Sequence, residues 1–196
     1  MAEKFQNKYR IESARAQWWD YGNNGSYFIT ICTRNREHFF GEISNDEMQL
    51  SQSGKIARKC YVEIQEQFPY VLLDEFVVMP NHVHGIIIID KPITPNINNA
   101  AVVGTPLMAS LQQPTDPINP VGGFAGTKNP MLNENLSRVL RWFKGRVSFE
   151  CRKINPTFGW QSRFHDHIIR NEEEYHRIRK YIKTNPQNWK IDKLRN

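Results

Sequence analysis

The stretch Val71–Asp90, VLLDEFVVMPNHVHGIIIID, carries two β-branched runs joined across Pro80-Asn81. A Pro-Asn step is turn chemistry, and proline cannot donate to a strand ladder, so Pro80 belongs in the turn and the runs read as an antiparallel hairpin. Side chains alternate faces along a strand. His82 and His84 therefore project to one side, about 7 Å apart along the strand, while Val83 points to the other side, into the core, and the four isoleucines anchor the strand there.

The segments around the hairpin complete a pattern. After Gly25-Ser26, the run YFITICTR alternates Tyr27, Ile29 and Ile31 with Phe28, Thr30 and Cys32, as expected of a first strand. Ile56, Ala57, Cys60, Tyr61, Ile64 and Phe68 form the apolar stripe of a helix closed by Pro69. Beyond the hairpin, Leu136, Val139, Leu140, Phe143 and Val147 form a second stripe, and RFHDHIIR is a short β-like run. Asn171 caps a last helix, with Glu172 to Glu174 at the positive end of its dipole, and the helix ends before Pro186. The order strand, helix, strand, strand, helix, strand, helix predicts an α+β fold: a ferredoxin-like split βαβ sandwich with an antiparallel sheet and an added C-terminal helix.

A chain of 196 residues predicts a single domain, 1–196. It carries an N-terminal arm, 1–24, with Trp18 and Trp19, and a Pro/Asn-rich flexible insert at about 92–130. Net charge +6 and 12% aromatic residues are compatible with a polyanionic partner. Cys32, Cys60 and Cys151 are odd in number and widely spaced, which argues for buried free thiols rather than a disulfide framework. The N-terminus lacks a signal-peptide apolar region, and no apolar run is long enough for a membrane span, so a cytoplasmic protein is expected.

Two imidazoles on one strand face can share a cation but do not complete a site; such a pair also arises as satisfied polar residues at a strand start. In EEEYHRIRKYIKTNP, Tyr175, Ile178 and Ile182 form a packing stripe, and Tyr181 lies on its flank with Asn185 one turn later. A Tyr-x-x-x-Asn pair brought up to a His-x-His strand would supply what a phosphodiester transesterase needs: a divalent cation on His82, His84 and the Asn185 carbonyl oxygen, and Tyr181 as nucleophile.

MPNHVHGIIIID, WFKGR, FHDHIIRNEEEY and YIKTNP, in that order, resemble the single-tyrosine HUH transposases of the IS200/IS605 type, and especially the REP-associated tyrosine transposases. The resemblance implies a Y1-transposase-like enzyme in which His82, His84 and Asn185 hold Mg²⁺ or Mn²⁺ and Tyr181 is the catalytic nucleophile. It implies cleavage and rejoining of single-stranded DNA, at an imperfect hairpin with an adjacent guide sequence, through a 5′-phosphotyrosine. It leaves open a monomer or a homodimer exchanging catalytic helices, and a mobile or a domesticated copy.

Arg141, Lys144, Arg146, Arg163, His167, Arg170 and Lys180 are candidate DNA contacts, with a solvated charged face as the alternative for any one of them. Tyr175 is the rival nucleophile. His165 and His167 form a second His-x-His that, with Asp166, could hold another metal. Trp18, Trp19 and Trp160 could stack on unpaired bases or pack internally. Two other functions compete: a nucleic-acid-binding module of the same fold that cleaves nothing, and a small-substrate hydrolase of the (β/α)₈ type, for which the chain is short.

Overall fold

The computed structural model describes residues 19–92 and 133–195, with the backbone of two short paired strands, β1 (Lys4–Phe5) and β2 (Lys8–Tyr9). Trp18 and nearly all of the Pro/Asn-rich stretch lie outside the described residues.

The central sheet contains β3 (Gly25–Cys32), β6 (Val71–Met79), β7 (His82–Ile89) and β8 (His165–Ile169). Its order is β6-β7-β3-β8, with every neighbouring pair antiparallel. With helices α1 (Gln52–Gln67) after the first strand and α2 (Leu136–Arg152) after the third, this is the expected ferredoxin-like arrangement. Helix α3 (Glu172–Thr184) is the added C-terminal helix. Ser51, Asn135 and Asn171 cap α1, α2 and α3 through side chains that accept from backbone N–H groups one turn on. Among the described residues no helix is long and apolar enough to cross a membrane.

Strand periodicity divides the sheet into two unlike faces. Tyr27, Ile29, Ile31, Val83, Ile87 and Ile89 pack with the stripes of α1 and α2 in the main core. On the other face Ile86 meets Ile178 and Ile182 of α3 in a small second cluster. Gly85 is fixed by the larger core: a Cβ there would stand 2.6 Å from the Tyr61 hydroxyl, which donates to the Ile86 carbonyl at 2.9 Å.

The pairing of β6 with β7 slips between Leu73↔Ile87 and Phe76↔Gly85, which inserts one extra residue as a bulge. The bulge turns Asp74 and Glu75 toward α3. Arg179 reaches Asp74 at 3.0 Å and Glu75 at 3.2 Å, and Lys183 reaches Glu75 at 3.0 Å. This edge-strand clamp seats α3 over β6 and β7.

Two further features, besides the bulge, were not expected from sequence. A hairpin, β4 (Gly41–Ser44) and β5 (Glu47–Leu50), is closed by Asn45-Asp46. Both turn residues have positive φ, 52° and 61°, as a type I′ turn requires. The residues after α3 continue into a 3₁₀ helix, Pro186–Ile191, with Trp189 buried. All three cysteines are buried and free, as expected.

Candidate active site

His82 and His84 stand on the face of β7 that α3 partly covers, opposite Cys32 and Thr30 of β3. Both are buried, with ring centroids 4.5 Å apart. Each ring is held by its Nδ1. That of His82 lies 2.8 Å from Asn81 Oδ1 and that of His84 lies 2.9 Å from Thr30 Oγ1. The Asn81 amide nitrogen is committed to other carbonyls, so its oxygen accepts and His82 Nδ1–H donates, which leaves Nε2 as a bare lone pair. Burial pushes His82 down to about 2, with the neighbouring His84 and Arg36 adding to the effect. Burial likewise pushes His84 down to about 3. Both rings are therefore neutral near pH 7, the form that ligates metals.

Four further groups line the same cleft as His84. Asn185, the C-cap of α3, is 1% exposed. Asp192, which follows the 3₁₀ helix, places Oδ2 at 3.7 Å from His82 Nε2. His82, His84 and Asp192 offer ligand atoms that all lie within 4.8 Å of one another, the one such group among the described residues. Tyr181 Oη lies 3.3 Å from His84 Nε2, and Phe28 stacks on the His84 ring at 5.2 Å.

His82 Nε2, Asn185 Oδ1 and Asp192 Oδ2 are buried with no hydrogen-bond partner. Leaving a buried polar atom unpaired costs about 1–3 kcal/mol. Two imidazoles, an amide oxygen and a carboxylate, three of them with an unpartnered atom, are a donor set that fits a divalent cation. The sequence reading had no place for Asp192. No periodic signal marks it, because it follows a 3₁₀ helix rather than a continuation of α3.

The two tyrosines separate clearly. Tyr175 donates to Asp74 Oδ2 at 2.5 Å, and burial together with that carboxylate raises it to about 12. Tyr181 is 41% exposed and opens into a cleft of about 810 Å³. Burial of its hydroxyl raises its pKa, as does Asp192, while a hydrogen bond from Asn185 opposes the rise.

The candidate DNA contacts do not share one surface. Arg163 lines the cleft beside Tyr181, together with Arg36 and Lys193, which the sequence reading did not single out. Arg141 and Arg146 border a groove on α2, on the far side of the sheet, and Arg146 faces Glu63 at 3.9 Å and Glu150 at 3.6 Å. Lys144 donates to the Gln161 carbonyl at 2.7 Å, and burial lowers its pKa. His167 pairs with Glu174 at 2.9 Å, tying β8 to α3, and the backbone N–H of Arg170 donates to the same carboxylate. Lys180 is exposed on α3. His165 and His167 share the site-side face with Asp166 opposite, and they form no three-ligand group among the described residues. Trp160 packs among Phe40, Phe143 and Phe158, and Trp19 donates to the Tyr27 hydroxyl, so both serve the interior.

The chain is 37% identical over 183 residues to an uncharacterized protein of Haemophilus influenzae, covering 93% of this chain and 91% of that one. The two chains belong to one family. No family model matches the sequence. Among solved structures, the fold of this chain is similar to that of a REP-associated tyrosine transposase bound to a REP hairpin, with a TM-score of 0.54 over 90% of this chain and 74% of that chain, at 18% identity.

Proposed function

We propose that this protein is a metal-dependent, single-tyrosine DNA transposase or endonuclease that cleaves and rejoins single-stranded DNA at hairpin ends. The observation that carries the reading is the approach of two unpartnered buried atoms, His82 Nε2 and Asp192 Oδ2, at 3.7 Å, beside a cleft lined by Asn185 and by Tyr181, whose hydroxyl reaches His84. The likeness in fold to a hairpin-bound tyrosine transposase supports it.

His82, His84, Asn185 and Asp192 would hold the cation, for which Mg²⁺ or Mn²⁺ suits a set that includes amide and carboxylate oxygens. When bound, it supplies charge neutralisation and polarisation at the scissile phosphate. Tyr181 attacks phosphorus in line. The new bond joins Tyr181 Oη to phosphorus, the phosphorus–O3′ bond breaks, and the departing 3′ oxygen takes up a proton as the tyrosyl hydroxyl loses one. The product is a 5′-phosphotyrosine and a free 3′-hydroxyl, and the reverse attack rejoins the strand. Arg36, Arg163 and Lys193 line the cleft where the strand's phosphates would lie. Burial and Asp192 hold the Tyr181 phenol above its ordinary pKa.

The test is incubation with labelled single-stranded hairpins and Mg²⁺ or Mn²⁺. The expected outcome is a covalent protein–DNA adduct that is absent from Tyr181→Phe and present in Tyr175→Phe. A binding module of the same fold would retain DNA and form no adduct with either ion.

A further inference from the structure

We infer that Asn81 is a positioning residue that joins His82 and the segment 189–195 into one unit, so that seating of that segment and assembly of the metal centre are a single event. The inference rests on the metal centre proposed above.

Asn81 sits in the β6–β7 turn with its side chain fully buried. Its own carbonyl accepts from the Thr33 N–H at 2.8 Å and from the Thr33 hydroxyl at 2.9 Å, which pins the backbone. Its amide then divides its bonds between two parts of the site. Oδ1 accepts from His82 Nδ1, which sets that ring's tautomer and aims Nε2 at the centre. Nδ2 donates to the carbonyls of Leu194 at 2.8 Å and Arg195 at 3.3 Å. These carbonyls belong to the turn that presents Asp192. Within that turn, the Leu194 N–H donates to Asp192 Oδ1 at 2.7 Å, which directs the other oxygen, Oδ2, toward His82 Nε2.

A ligand ring and a ligand carboxylate therefore share one amide; Arg36 Nη1 also donates to the Leu194 carbonyl, at 2.9 Å, but has no hold on His82 Nδ1. Flipping that amide would turn donors toward His82 and an acceptor toward two carbonyls, so the correct orientation serves both or neither. Coupling of this kind is reciprocal: whatever factor seating the segment adds to metal affinity, the metal adds to seating.

The test uses Mn²⁺ alone, followed by loss of the free-ion paramagnetic resonance signal, with amide hydrogen exchange across 189–195 as the second readout. In the parent, Mn²⁺ should slow exchange in that segment. Asn81→Ala should weaken Mn²⁺ binding by about 10- to 100-fold, the usual cost of losing a group that orients a ligand. Adding Asp192→Ala to it should cost little more, because the carboxylate is already adrift; fully additive losses would overturn the inference. Asn81→Asp is nearly isosteric and keeps the acceptor for His82 while removing both donors to the segment. In that variant exchange across 189–195 should rise and no longer respond to Mn²⁺, and unchanged protection would overturn the coupling. A parent that binds no Mn²⁺ removes the metal reading itself, whereas binding that Asn81→Ala leaves intact removes only this inference.

Discussion

The two faces of the sheet are built from the same strands and do opposite work. Under α1 and α2 the face is closed, aliphatic and aromatic, with Tyr61 stacked on Phe76 at 3.7 Å between ring centroids and crossed by Phe143 at 6.0 Å. Under α3 the buried apolar cluster shrinks to Ile86, Ile178 and Ile182 with partly buried neighbours such as Val77 and Ile169, and the same face carries imidazoles, an amide and a carboxylate, three of whose atoms lack partners. One face holds the fold together, and the other carries polar groups at a cost that the first must offset. Alternation along β7 makes the division possible: Val83 and Ile87 serve the core while His82 and His84, one residue away, serve the site.

Substitutions should respect this division. Phe143→Ala, fully buried against Tyr61 and Trp160, is expected to cost about 3–5 kcal/mol in denaturant unfolding, with Mn²⁺ affinity unchanged in the fraction that stays folded. If metal binding falls before stability does, the faces are not independent. Gly85→Ala places a methyl against the Tyr61 hydroxyl and is expected to cost about 1–3 kcal/mol, again with the site intact. Arg179→Ala removes a half-exposed partner of Asp74 and Glu75, for which about 0.2–1 kcal/mol is expected. Its effect should be local, as faster amide exchange in α3 with little change in global unfolding. Tyr181→Phe, which removes only a cleft-side hydroxyl, should leave unfolding where it was while abolishing the adduct.

Much of the fold was legible because periodicity is local. The stripes of α1 and α2, the hairpin across Pro80-Asn81 and the Asn171 cap each declare themselves within a few residues, and their order leaves few topologies for a βαββαβ chain. The β4–β5 hairpin was missed although Asn45-Asp46 marks a two-residue turn, because its strands are too short to show alternation. The bulge at Asp74–Glu75 was missed because a bulge is visible only against the partner strand.

The sequence by its own patterning put both histidines on one strand face and Tyr181 and Asn185 on one side of the last helix, since side-chain direction follows from strand and helix geometry alone. Tertiary structure decided the rest. It gave Tyr175 to Asp74 and left Tyr181 facing the cleft, dispersed the basic residues over both sides of the sheet, and brought Asp192 beside His82. These outcomes depend on where a returning chain comes to lie against a distant strand. No local period encodes that position; the packing of Trp189 and the hydrogen bonds of Asn81 do.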